Sequence, residues 1–166
     1  MARTVEEVNA SITQANSTIE EQTALISDYQ QQISSANQKY EALKKQKSAL
    51  DSTFNEIDIL CSSLLEQCTS INDNYSSICT FANDFYISAS SQIERYRTSA
   101  QTKITEMVER IEGQMESYKT TANNAQDNLD NANSALSNAQ SSLSEYQYEL
   151  AQAEAEEAML MSGVTE

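Results

Sequence analysis

The chain has 166 residues, with no proline, only two glycines and a formal net charge of −15. Its length is typical of one domain, and the scarcity of helix-breaking residues permits long helices. The charge disfavours nucleic acid and anionic membranes as partners, because both would repel the chain. The absence of histidine excludes a His-based triad and a His metal ligand. We therefore expect no enzyme, no cofactor and no metal site.

The N-terminal arm, residues 4–53, has apolar residues at heptad spacing that continues to residue 57. The a positions hold Val5, Ile12, Ile19, Ile26, Ile33, Tyr40 and Phe54, and the d positions hold Val8, Ala15, Tyr29, Ala36, Leu43, Leu50 and Ile57. Only Gln22 and Lys47 interrupt the pattern, and Lys47 is expected to extend its ammonium group to solvent. This spacing predicts a helix that packs closely against a second, non-identical helix.

The head, residues 54–87, contains all three phenylalanines and all three cysteines. The same heptad frame continues through Cys61, Leu64, Cys68, Ile71, Tyr75, Ile78, Ala82 and Phe85. Further apolar residues lie off this frame, which predicts contact with more than one neighbour. On this frame Leu64 is a core residue, so that Leu64→Glu would collapse the head. Thr53 and Glu56 have the spacing of a capping box and predict a new helix start.

A turn in the head would produce two arms of nearly equal length. The polar run at residues 72–74 is the first candidate for this turn, and residues 83–84 are the second. We expect Cys61, Cys68 and Cys79 to be reduced, buried thiols. The alternative, which a turn at 72–74 would allow, is that Cys68 faces Cys79 and forms a disulfide.

The C-terminal arm, residues 88–160, has two apolar lines at heptad spacing, and a frayed tail follows at residues 161–166. One line runs through Ile104, Ile111, Tyr118, Ala125, Ala132, Ala139, Tyr146, Ala153 and Leu160, and the other through Ile93, Ala100, Met107, Ala122, Leu129, Leu136, Leu143 and Leu150. Alanines here would oppose isoleucines of the first arm, as close antiparallel packing requires. The sequence thus predicts a single all-α domain, 1–166, an elongated antiparallel helical hairpin or coiled coil with an apolar head at its turn end.

The head has more apolar surface than two helices can bury, which indicates a binding surface there. The residues that we expect to bind a partner are Phe54, Ile57, Leu60, Leu64, Leu65, Phe81, Phe85 and Tyr86. The expected partner is another helical protein. Self-association into a structural, homo-oligomeric coiled coil is the alternative. A pore-forming toxin is a third reading, which Glu66, Asp73 and Asp84 in the head disfavour.

A long, acidic, proline-free helical hairpin resembles the small accessory proteins of type VII secretion. These include the WXG-motif hairpins and the helical partners of LXG-domain toxins, although this chain has no tryptophan. The aromatic-x-x-x-acid secretion signature is matched at Phe54–Asp58. The resemblance implies a targeting factor or chaperone that packs along a toxin's helical domain. The first residues lack an apolar segment, so we expect no Sec-type signal peptide and either a cytoplasmic location or export by another route.

Overall fold

A computed structural model describes residues 3–163 of the chain. Helix α1 spans Val5–Tyr75 and helix α2 spans Thr80–Met161. The described residues contain no strand, and the all-α helical hairpin predicted from the heptads is confirmed. The helices pair in two compact units. Unit 1 consists of the described residues of Met1–Ala36 and Thr120–Glu166, and unit 2 consists of Asn37–Lys119.

Unit 1 follows the predicted heptads along both helices. Val8 is completely buried, and Ala15 and Ala36 are also buried in α1. On α2 the buried residues are Ala125, Leu129, Ala132 and Ala139. Small side chains at these positions let two helix backbones approach closely, while the longer isoleucines of α1 are half-buried beside them.

Helix α1 begins at a capping box that involves Thr4 and Glu7. The amide of Thr4 donates to Glu7 Oε2 at 3.0 Å, and the amide of Glu7 donates to Thr4 Oγ1 at 3.3 Å. These bonds satisfy amides that have no partner inside the helix. The helix start predicted at Thr53 is wrong, because α1 continues through it. Thr53 instead donates its hydroxyl to the Ala49 carbonyl at 2.9 Å, as a threonine within a helix does.

The hairpin turn lies at residues 76–79, so both predicted turn positions are wrong. Asn74 donates its amide to the Ser70 carbonyl at 2.8 Å and thereby supports the last helical turn rather than breaking it. The amides of Ile78 and Cys79 then donate to the Tyr75 carbonyl at 3.0 and 2.8 Å and close the turn. Residues 83–84 lie inside α2.

Unit 2 departs from the predicted heptads in both helices. Leu64 is 48% exposed whereas Leu65, predicted to lie off the frame, is half-buried, and Met107 is 45% exposed whereas Val108 is half-buried. In each helix the inward-facing positions move one residue along the chain from the predicted heptad positions, because two successive spacings are both four residues. These spacings are 57-61-65 in α1 and 100-104-108 in α2. An α-helix has 3.6 residues per turn, so a strict heptad drifts away from the contact line and such steps restore it.

The structure also changes the prediction for the cysteines. Cys61 and Cys68 are buried between the helices of unit 2, whereas Cys79 is exposed in the turn, and all three thiols are free. The expectation of reduced thiols is confirmed, and the expectation of burial is wrong only for Cys79. The alternative pairing of Cys68 with Cys79 required a turn at residues 72–74. The observed turn ends at Cys79 instead, and the two thiols remain separate.

The end of α2 is capped by a glycine. The helix ends at Met161, and Gly163 follows with a φ of 72°, a conformation that favours glycine at a helix C-terminus. The amide of Ser162 still donates to the Ala158 carbonyl at 3.1 Å. The frayed tail was predicted at residues 161–166. Met161 is helical instead, and residues 164–166 lie outside the described part of the chain.

Candidate partner-binding face

Exposed apolar side chains are concentrated in unit 2. Unit 1 exposes five large hydrophobic residues and unit 2 exposes eleven. The residues that unit 2 buries are all small: Cys61, Cys68 and Ala82. The eleven residues are Ile59, Leu60, Leu64, Ile71, Tyr75, Ile78, Phe81, Phe85, Ile87, Tyr96 and Met107. Scattered exposed apolar residues need no explanation, whereas a contiguous patch of them marks an interaction surface.

On α1 these residues form a row along one side of the helix. Leu60, Leu64 and Ile71 each come one position before an inward-facing residue, namely Cys61, Leu65 and Asn72. Tyr75 continues the row one turn after Ile71. Helical residues four and seven positions apart lie on the same side, so these four side chains are neighbours along the helix.

Helix α2 carries a matching row. Phe81, Phe85, Tyr96 and Met107 each come one position before an inward-facing residue: Ala82, Tyr86, Arg97 and Val108. The rings of Phe81 and Phe85 stack with their centroids 6.4 Å apart. Two antiparallel helices are related by a two-fold axis normal to their common plane. The position before each inward residue therefore lies on the same side of the pair in both helices.

The two rows lie side by side on this side of the hairpin, at matching levels along it. Arg97 bonds to Asp58 across the hairpin, which fixes the register of the helices. Counting from this pair, Leu60 lies level with Tyr96, Ile71 with Phe85 and Tyr75 with Phe81, each within one residue. We call the eight residues of the two rows the apolar face: Leu60, Leu64, Ile71, Tyr75, Phe81, Phe85, Tyr96 and Met107.

The opposite side of unit 2 is acidic. Positions one residue after the inward line hold nine carboxylates, and we call these the acidic face: Glu41, Asp51, Asp58, Glu66, Asp73, Glu94, Glu109, Glu112 and Glu116. By contrast, only one carboxylate of unit 2, Glu56, directly precedes an inward residue, Ile57. Unit 2 is therefore two-sided, with its apolar side chains on one face and its acids on the other.

Two ion pairs join the helices on the acidic side. Arg97 donates to Asp58 Oδ1 from Nε at 2.7 Å and from Nη2 at 2.5 Å, and Lys47 Nζ donates to Glu112. The hydrogen bond and charge of Asp58 raise the pKa of Arg97, and those of Glu112 raise the pKa of Lys47, with a smaller effect from Asp51. These pairs fix the register of the hairpin and leave the apolar face uncharged.

The structure divides the eight sequence-predicted binding residues into two groups of four. Leu60, Leu64, Phe81 and Phe85 are exposed and lie on the apolar face. The other four are half-buried on the inward side of the helices and contribute to the hairpin core: Phe54, Ile57, Leu65 and Tyr86. The structure thus brings the exposed four together on one surface.

Sequence reasoning missed four residues of the apolar face: Ile71, Tyr75, Tyr96 and Met107. Ile71, Tyr75 and Met107 were assigned to buried heptad positions, and Tyr96 was not singled out. Ile71, Tyr96 and Met107 share one signal, an apolar residue directly before an inward position, and Tyr75 follows Ile71 by one turn. This signal is visible only once the one-residue shift in unit 2 is known.

Other kinds of site are not supported by the described residues. Within residues 3–163, no three acidic or sulfur side chains cluster in a way that could hold a metal ion. In the same range, no helix is long and apolar enough to cross a membrane. Comparison of the chain with protein-family models, with curated proteins and with solved structures gives no match.

Proposed function

We propose that this chain is a non-catalytic binding protein whose apolar face packs against the helices of another protein. The observation that carries the proposal is the segregation of unit 2 into one apolar and one acidic face. Six of the eight apolar-face residues are at least 45% exposed. Leaving such side chains in water forgoes roughly 25 cal/mol for each Å² that a partner could cover.

The chain's own charge favours a different protein over a second copy as the partner. Two copies would each bring a net charge of −15. Charge of this size keeps like molecules apart, while a partner without that excess encounters no such repulsion. A homo-oligomeric coiled coil is the alternative that this argument disfavours.

In its specific form the proposal is that the partner belongs to type VII secretion. The chain would act as a targeting factor or chaperone that packs along the helical domain of an LXG-type toxin or a similar substrate. The support is the all-α hairpin, which is the architecture of such accessory proteins, together with the unpartnered apolar face at its turn end.

Co-expression tests the proposal directly. The tagged chain is expressed together with each protein encoded beside it, LXG-type toxins first, and the co-purifying protein is quantified. The test variant is Leu60→Ser with Leu64→Ser on the apolar face. The matched control is Ile59→Ser with Ile87→Ser, which removes two similarly exposed side chains, 67% and 58% exposed, that lie off this face.

A neighbour-encoded protein is expected to co-purify with the wild type and with the control variant but not with the Leu60/Leu64 variant. Equal capture by all three forms would refute the apolar face as the binding site. Capture of helical neighbours other than LXG toxins would retain the binding role and remove the toxin assignment.

A further inference from the structure

We propose that the turn at residues 76–79 is a hinge, and that two chains exchange their α2 helices when it straightens. In the exchanged dimer α1 and α2 form one continuous helix, and the α1 of each chain pairs with the α2 of a second copy. This inference goes beyond the proposed function and does not depend on it. It is carried by the backbone of the turn and by the spacing of the buried residues on its two sides.

The turn already has part of the hydrogen bonding of an α-helix. The amide of Ser76 donates to the carbonyl four residues earlier, that of Asn72, at 2.9 Å. The amide of Cys79 does the same to Tyr75 at 2.8 Å, whereas the amide of Ser77 donates to no backbone carbonyl among the described residues. The turn contains neither glycine nor proline, and none of its residues has a positive φ. Changes in backbone torsion angles within these four residues are therefore enough to continue the helix.

The buried residues on the two sides of the turn belong to one heptad line. Cys61 and Cys68 are buried in α1, seven residues apart, and Ala82 is buried in α2, 14 residues after Cys68. Ala89, seven residues further along, is half-buried. With the turn as four more residues of helix, all of these positions lie on one side of a single helix. Within this stretch, Tyr75 is the one member of the line that the hairpin leaves exposed.

Exchange keeps the contacts that hold the hairpin together. Asp58 pairs with Arg97, and Lys47 with Glu112, between antiparallel helices of one chain. In the exchanged dimer the same pairs form between the α1 of one chain and the α2 of the other, in the same direction and register. Exchange of an identical element between chains is a low-cost route to a dimer for this reason.

The straightened hinge adds apolar contact that the hairpin lacks. Around the two-fold axis of the exchanged dimer, each chain meets the same segment of its copy running in the opposite direction. In the closed hairpin Tyr75 and Ile78 are 56% and 81% exposed. On a continuous helix Tyr75 lies on the inward line and Ile78 lies one turn further along, so both gain a helix to pack against.

The closed hairpin remains the form of a chain that has not been unfolded. Exchange requires the contacts between α1 and α2 to separate before new ones form, so it is slow under native conditions. Urea near the unfolding midpoint lets the helices separate, and a high protein concentration favours the two-chain product. The inference therefore concerns protein that is held near this midpoint or refolded from urea.

Equilibration near the urea midpoint tests the hinge. The chain is held there at several protein concentrations with a reducing agent, the urea is removed, and the mass is measured by light scattering. We expect the wild-type dimer fraction to increase with concentration and to persist after dilution. Ser77→Ala should raise the dimerisation constant about fivefold, because alanine is the better helix former and each dimer has two hinges. Ser77→Pro should lower it more than a hundredfold, because proline breaks the continuous helix.

A pair of charge variants tests whether the contact lies between chains. Asp58→Arg and Arg97→Asp each break the ion pair within their own chain, and a mixed dimer restores it at both sites only when α2 is exchanged. The two variants are equilibrated together, and native mass spectrometry counts mixed and like dimers. The control mixture, Asp73→Arg with Arg95→Asp, makes the same charge changes at residues without an ion pair among the described residues. Mixed dimers should exceed like dimers more strongly in the test mixture than in the control.

The absence of a dimer at every concentration would overturn the inference, as would a Ser77→Pro variant that dimerises as well as the wild type. If Ser77→Pro does not fold, an unchanged dimerisation constant for Ser77→Ala overturns it instead. Equal excesses of mixed dimers in the test and control mixtures would show that the hairpins stay closed in the dimer, and would also overturn it. None of these results changes the co-purification through Leu60 and Leu64 that tests the proposed function.

Discussion

Leu64 and Leu65 are adjacent in sequence but lie in different environments on α1. Leu64 is 48% exposed on the apolar face, whereas Leu65 is half-buried against α2. We predict that Leu65→Glu lowers the free energy of unfolding by about 2 kcal/mol or more, because it places a charge in the hairpin contact. Leu64→Glu should change it by less than about 1 kcal/mol. Urea unfolding followed by circular dichroism measures both values.

The unshifted heptad frame predicts the opposite order of stability, because it places Leu64 in the core, where Leu64→Glu would collapse the head. A larger loss of stability for Leu64→Glu than for Leu65→Glu would therefore restore the unshifted heptad and contradict the structure of unit 2.

The three thiols differ in accessibility. Cys79 is exposed in the turn, while Cys61 and Cys68 are buried between the helices. We predict that a thiol reagent modifies Cys79 rapidly in the native protein, and that Cys61 and Cys68 react only when the hairpin opens. Mass spectrometry of peptides over time gives the three rates. Similar rates for Cys68 and Cys79 would contradict the turn at residues 76–79.

At the scale of the elements, the start of α1 is set by a side chain that accepts a hydrogen bond from a backbone amide without a partner in the helix. Thr4 caps the helix and Thr53 lies within it. Thr4→Ala should therefore cost about 1 kcal/mol of stability, because an N-terminal amide loses its acceptor. Thr53→Ala should be nearly neutral, since alanine is the stronger helix former and no cap is lost. Thermal unfolding of the pair tests this, and a larger cost at Thr53 would indicate a helix start there.

The fold was predictable where packing alone decides it. In unit 1, apolar residues such as Val8 and Ala125 occupy 3-4 spacing that only Gln22 interrupts in α1, and they are buried as the heptads predict. No glycine, proline or buried polar network competes with this pattern, so periodicity was sufficient.

Two features could not be predicted, for physical reasons. The turn at residues 76–79 uses no positive φ, so it leaves no glycine or asparagine signal, and Asn74 supports the helix instead. The one-residue shift that exposes Leu64 and Met107 depends on how two helices accommodate each other, which neither sequence segment shows alone. Because of this shift, Leu65 and Tyr86, which lay off the predicted frame, are core residues of the hairpin, whereas Phe54 and Ile57 face inward at the a and d positions of that frame.

For the whole molecule, charge and apolar surface act in opposite directions. The apolar face favours association, whereas the net charge of −15 disfavours association between identical chains. The oligomeric state of the pure protein therefore decides whether the apolar face binds another protein or a second copy of the chain.

Light scattering coupled to size-exclusion chromatography measures this outcome most directly. For the pure wild-type chain at physiological salt we predict a mass of 18.4 kDa, that of one chain. The mass should increase only when a partner protein is added. A wild-type mass of two chains, which returns to one chain in the Leu60→Ser, Leu64→Ser variant, would show that the apolar face binds its own copy and would contradict the account.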